Sequence, residues 1–269
     1  MADAESGGRA AEIDFNRPNS ARIWNYLGGG KNYYEADKTA GDAFSAAFPG
    51  IVTFAVQSRE FVIRSVRYLA AEAGIRQFLD IGTGFPATEN THEVAQAVAP
   101  DARIVYVDND PVVLAHAQAL LTNTTDEGVT AFVDSDLRNT ERVISAAHAT
   151  LNFTQPIGVM FMGSLGQLED YDEVLAIVRR YMGAVPSGSY LAHYEGEDTD
   201  ADYQKALAAF NAIASEGSHY YARTREQMEQ MFEGLELVEP GVVKLDEWRP
   251  EGGAEKLDVV SLCGVGRKP

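Results

Sequence analysis

Cysteine is almost missing from this chain: Cys263 stands alone among 269 residues. No disulfide can close within the chain, and such usage fits a reducing compartment. Long apolar runs are missing as well. None approaches the ~20 residues that span a bilayer, so no membrane partner is expected. Residues 1–20 are polar and carry both charge signs, unlike a signal peptide. We therefore expect a cytoplasmic protein. Basic residues are scarce too: 22 Lys and Arg face 40 Asp and Glu, a net charge of −18. A polyanion would be repelled at long range. That disfavours nucleic acid and favours a small-molecule substrate. The histidines, at 92, 116, 148, 193 and 219, show no metal-ligand spacing, so no metal is expected.

What the chain does have is an alternation of short apolar runs and helical patterns. Residues 1–16 are small and polar, without periodicity, and read as a flexible tail. Three helices come next: one capped by Asn19-Ser20 with Ile23, Tyr26 and Leu27 on one side, one over Glu35–Ala47, and one over about Val52–Ala73. No strand separates them, so residues 17–74 read as a helical cap. From residue 75 to 269 strands and helices alternate. Strands are expected at Gln77–Ile81, Arg103–Val107, Val129–Val133, Ile157–Met162, Ser189–His193, Leu235–Glu239 and Val259–Val265. Helices are expected at about Thr88–Ala99, Pro111–Leu121, Thr140–Thr150, Glu169–Ala184, Ala201–Glu216 and Thr224–Phe232, with an exposed turn at Pro250–Gly253. This pattern predicts an α/β fold: a Rossmann-like, doubly wound sheet, mostly parallel with an antiparallel last strand, behind an N-terminal helical cap.

Ligands of such sheets sit outside the carboxyl ends of the strands. At the first of those ends stands Asp80-Ile81-Gly82-Thr83-Gly84, and at the second Asp108. Glycine lets the backbone turn sharply and lets a ligand approach without a Cβ in the way. Asp108 is placed to take both ribose hydroxyls of a nucleotide. A dinucleotide fold carries a third glycine; here Pro86 stands near its place. Pro removes a helix N-terminal N–H, which suits a ligand without a pyrophosphate. The acid before the glycines and the D-x-G-x-G form favour S-adenosylmethionine over NAD.

These residues resemble the class I S-adenosylmethionine-dependent methyltransferases, and more closely the S-adenosyl methyltransferase family of actinomycetes, formerly a domain of unknown function. The resemblance rests on Ala21–Tyr33, Phe78–Pro86, Asn90–Glu93, Val105–Pro111, Gly234–Gly241 and Trp248–Pro250, and it covers about residues 17–269. It implies that Asp80, Gly82, Thr83 and Gly84 hold the methionine part of the cofactor and that Asp108, with Asn109, holds the ribose. Asp136, in preference to Asp134, would meet the adenine amino group beside Leu137. Gly163 and Ser164 would lie where the methyl group points.

Gly28-Gly29-Gly30 reads as a hinge at the cofactor entrance or as a plain helix terminator. With it, Tyr26, Gly29 and Tyr33 are cofactor-contact candidates; Tyr33 and Tyr34 are equally suited to packing the cap. Lys31 after the glycines does not make a phosphate loop, because Asn32 stands where Ser or Thr is needed. His193, at the end of the fifth strand, is the candidate general base. His219 lies in a polar loop, and His92 with Asn90 reads as ordering the glycine loop. The acidic run Glu195–Asp202 reads as a solvated segment. No Asn-Pro-Pro-Tyr type segment or Pro-Cys pair for base methylation is found. The expected function is S-adenosylmethionine-dependent methyl transfer to a small molecule. The alternatives are a catalytically silent cofactor-binding regulator and, less favoured, an NAD(P)-dependent reductase.

Overall fold

The computed structural model describes residues 15–87, 89–214, 217–250, 257 and 259–269. The expected tail lies outside them except for residues 15 and 16, as does most of the expected turn after Pro250. Seven strands form one sheet: β1 Gln77–Ile81, β2 Arg103–Asp108, β3 Val129–Asp134, β4 Gly158–Met162, β5 Tyr190–Gly196, β6 Glu236–Leu237 and β7 Ser261–Arg267. Their order is β3-β2-β1-β4-β5-β7-β6. Pairing is parallel from β3 through β5. β7 runs antiparallel between β5 and β6, so the last strand is reversed as the sequence predicts. β1 is buried at every position, which matches its unbroken apolar run. Strand order reverses between β1 and β4, and that switch point opens a crevice at their carboxyl ends.

Helices cover both faces. One apolar core joins α3 (Gly50–Ala71), α4 (Thr91–Val98) and α5 (Pro111–Leu120) to Phe78, Tyr106, Met160 and Tyr194 of the sheet. The other joins α6 (Thr140–Ala147), α7 (Tyr171–Ala184) and α9 (Arg225–Gln230) to Leu79, Val105, Phe161 and Leu191. Successive strand residues therefore feed opposite cores, as the period of two requires. α3 lies against the sheet: Arg64 donates through Nε to the Trp248 carbonyl (3.0 Å) and through Nη2 to that of Leu245 (2.6 Å), tying the helix to the C-terminal segment.

Of two shorter helices, α1 (Ser20–Leu27) lines the cavity at the carboxyl ends of the strands, and α2 (Glu35–Ala47) packs against α1, α3 and α8 (Ala201–Asn211). Asn19 caps α1, its Oδ1 accepting from the Arg22 amide at 3.2 Å. Its amide side chain also donates to Asp110 at 3.2 Å, which joins α1 to the strand-end loops. Arg22 and Asp37 form a buried pair at 2.7 Å, with side chains 4% and 0% exposed. Asp37 further accepts from the Asn19 and Tyr34 amides, so its lone pairs are used and the buried charge is compensated.

Two sequence expectations change. β6 spans two residues instead of five, because the chain turns away at Val238–Gly241. The segment read as solvated is so only in its second half: β5 continues to Gly196 and Glu195 and Glu197 are buried, whereas Asp198 and Asp202 are exposed. Among the described residues no single helix is long and apolar enough to cross a membrane.

Candidate functional site

A cavity of about 730 Å³ opens at the switch point. Its floor is the loop after β1. Gly82 and Gly84 both hold positive φ, 74° and 67°, where a Cβ is strained. A Cβ on Gly82 would also lie 2.3 Å from that of Ser164. Ser164 donates from Oγ to the Ile81 carbonyl at 2.7 Å, so the loops after β1 and β4 are stitched edge to edge and only glycine fits between them.

Asp108 closes the second side. Its Oδ2 accepts from the Gly84 amide at 3.0 Å and its Oδ1 from the Asp110 amide at 2.9 Å. Burial pushes its carboxyl above the usual range, against those amides. The Asn109 amide also lowers it as a backbone donor; the acceptor capacity that remains lets the carboxylate orient the loop and accept from a ligand hydroxyl together. On the third side Asp136 accepts from the Arg138 amide at 2.8 Å, and Leu137 adds an apolar wall. The residues fit a nucleoside cofactor: two positive-φ glycines, an acid with spare acceptor capacity, and a cavity within the ~300–1,000 Å³ range of small-molecule sites.

Of the residues the sequence singled out, Gly82, Thr83, Gly84, Asp108, Asn109, Asp136, Leu137, Gly163, Ser164 and Gly29 line this cavity. Asp80, Tyr26, Tyr33, His193 and Asp134 do not. Asp80 lies beneath the loop and accepts from the Thr91 hydroxyl at 2.7 Å; burial pushes it up to about 6, opposed by Thr91 and Arg59. It supports the floor without reaching the ligand space. Tyr26 points away because α1 presents Ser20, Ala21, Trp24 and Asn25 to the cavity. Its hydroxyl reaches Asp42 at 2.5 Å, and its ring packs on that of Tyr33 at 4.8 Å. His92 is bound to the Tyr106 hydroxyl at 2.9 Å below the loop.

His193 requires a correction. It is 0% exposed, on the face of β5 opposite the cavity. Its Nδ1 meets the Phe161 carbonyl at 2.8 Å, and burial depresses it to about 4. Strand parity explains the error: its neighbour Tyr194 takes the cavity side, packed edge-on to Phe54 and Phe61. His219 also lies outside the lining, whereas the adjacent Tyr220 is part of it.

Sequence reasoning missed the far end of the cavity. Trp24 from α1, Ser58, Arg59 and Glu60 from α3, Met162, Gln167, Tyr194 and Tyr220 meet there. Arg59 donates to the Glu89 carbonyl and is depressed by burial, offset by nearby Asp80. The signal for Arg59 and Tyr194 was helix and strand phase, which the apolar neighbours of each would have supplied.

A family model described as S-adenosyl methyltransferase matches residues 6–269. A DUF574 family protein from Streptomyces avermitilis MA-4680 has a solved structure that is 42% identical, covers 96% of this chain and 100% of that one, and superposes with a TM-score of 0.90. A candidate methyltransferase from Thermobifida fusca YX is 38% identical over 98% of this chain and 99% of that one, with a TM-score of 0.88. No curated protein gives a significant match.

Proposed function

Because this chain belongs to the S-adenosyl methyltransferase family, it is an S-adenosylmethionine-dependent methyltransferase, and we propose that it methylates a small molecule held in the cavity at the strand ends. Bound there, S-adenosylmethionine supplies an electrophilic methyl carbon and leaves as S-adenosylhomocysteine. In this reading Asp108 accepts from the ribose hydroxyls, with Asn109 beside it. Gly82, Thr83 and Gly84 bring backbone close to the methionine portion, and Asp136 and Leu137 border the adenine. Gly163 and Ser164, between the two ends of the cavity, border the methyl group. Of residues 17–74, α3 belongs to the layer on the sheet, and α1 with the Gly28–Asn32 turn acts as the cap that keeps water from the reacting groups.

One observation carries the proposal: a single cavity runs from the glycine loop and Asp108 to an end lined by Trp24, Met162, Tyr194 and Tyr220. The second end suits an acceptor that stacks or packs on apolar and aromatic side chains. The net charge of −18 opposes a polyanionic substrate. Holding two reactants in line supplies on the order of 7–11 kcal/mol of a barrier. Orientation by these walls is therefore the chief contribution asked of the protein.

Titration calorimetry with S-adenosylmethionine, S-adenosylhomocysteine and NAD(P), followed by turnover on a small-metabolite extract, tests this. We expect the two sulfur compounds to bind, NAD(P) not to bind, and S-adenosylhomocysteine to form with the extract. Binding without turnover on any extract would convert the reading into a silent cofactor-binding regulator.

A further inference from the structure

A buried acid, Glu195, and a half-buried phenol, Tyr220, form a pair beside the far end of the cavity. The Tyr220 hydroxyl donates to Glu195 Oε2 at 2.5 Å and accepts from the Gly196 amide at 3.2 Å. Glu195 Oε1 accepts from the Gly166 amide at 2.7 Å. A Cβ on Gly166 would lie 2.4 Å from Oε2 and 2.5 Å from the Tyr220 ring, so the absence of a side chain there is what lets the pair form. Asn211 fixes Tyr220 from both sides of its backbone, at 2.8 and 2.9 Å. A carboxyl group that is 0% exposed is an expensive way to anchor a loop. A phenol oxygen has one proton and two lone pairs. Tyr220 uses the proton and one lone pair within the protein, which leaves one lone pair for a donor in the cavity.

We propose that Tyr220 accepts a hydrogen bond from an aromatic hydroxyl acceptor and that Glu195 receives its proton through Tyr220. This rests on the methyltransferase reading and names its substrate class. As the acceptor O–H bond breaks, its proton goes to Tyr220 Oη, and the Tyr220 proton goes to Glu195 Oε2. The freed oxygen pair bonds to the methyl carbon, and sulfur keeps the electrons of the broken bond. Tyr220 is neutral before and after, and the two charges lost, the Glu195 carboxylate's and the sulfonium's, cancel. Glu195 is suited to this because burial pushes it up to about 7, opposed by the Tyr220 hydroxyl and Arg223. The groups facing it are Tyr220 and Arg223 from the segment before α9, Tyr203 from α8, and its strand neighbour Tyr194.

The probe is 4-nitrophenol, whose ionisation is visible in its absorbance, added to the full chain saturated with S-adenosylhomocysteine. As pH rises through about 7, the wild-type complex should lose two protons in coupled steps, because the probe and Glu195 share one of them. Glu195→Gln should show a single ionisation step of the bound probe. Tyr220→Phe should bind it at least about tenfold more weakly. A merely structural pair would shift the melting temperature but not the ionisation state of the probe. Equal spectra and affinities across the three proteins, or no binding of the probe to the saturated wild type, would overturn the proposal. Failure of S-adenosylhomocysteine itself to bind would instead overturn the reading of the cavity on which the proposal stands.

Discussion

At one end of the cavity the lining comes from three short stretches of chain, Gly82–Ala87, Val107–Asp110 and Ser135–Arg138. At the other, Trp24, Arg59, Met162, Tyr194 and Tyr220 arrive from five separate places: α1, α3, the end of β4, β5 and the segment before α9. The first end is shaped by backbone, with two glycines at positive φ and carboxylates held by amides. The second is shaped by side chains whose positions depend on how helices dock. A cofactor of fixed structure can be held by contiguous loops at a sheet edge. An acceptor is defined by whatever the docked elements bring over it. The contrast assigns different vulnerabilities to the two ends.

The largest expected effect falls on the docked end. Arg22→Ala would leave the Asp37 carboxylate buried without its cation. Breaking such a pair from one side costs about 3–5 kcal/mol, to be read as a lowered midpoint in urea. A loss below 1 kcal/mol would mean that α1 and α2 are held by other contacts. The backbone end should respond to geometry instead. Gly82→Val meets both a strained φ and the Ser164 side chain. It should weaken S-adenosylhomocysteine binding more than about a hundredfold, some 2.8 kcal/mol, with the circular dichroism of the sheet retained. Normal binding by this variant would show that the loop is only a turn.

A smaller effect separates the two ends by pH. Glu195 titrates near 7 in the folded chain, above its ordinary value of about 4.3. The folded state therefore holds the extra proton between those values. The stability from protonated Glu195 is full below the lower value and is lost as pH rises through the upper one. Unfolding free energy measured from about pH 4 to pH 7 should fall less steeply in Glu195→Gln, at up to about 1.4 kcal/mol per pH unit. Asp80 and His193 titrate in both proteins and cancel in the difference. Identical slopes would place the Glu195 proton elsewhere.

The same contrast explains what could be read from the sequence. The sheet, its reversed last strand and the glycine loop were legible because each is a local pattern: an apolar run, a strand-end acid, a pair of glycines. Asp108, Gly82 and Asp136 reach the cavity as their positions after strands required. His193 did not, because a strand end fixes where a residue sits along the sheet but only its parity fixes the face. Tyr26 was turned outward by the helical period that turned Trp24 inward. Glu195 was hidden by its own neighbours, since an acidic run reads as solvated until the strand is seen to continue through it. Tyr220 had no local signal, and only the packing of its segment against Gly166 and Glu195 brings it to the cavity.

The central claim is that the backbone-built end holds the cofactor through Asp108. Charge-assisted hydrogen bonds contribute about 1.5–3 kcal/mol each, and Asp108 keeps acceptor capacity beyond the Gly84 and Asp110 amides. Titration calorimetry of Asp108→Ala with S-adenosylmethionine tests it most directly. We predict at least about tenfold weaker binding with an unchanged fold by circular dichroism. Unchanged affinity in a folded variant would contradict it and remove Asp108 from the site.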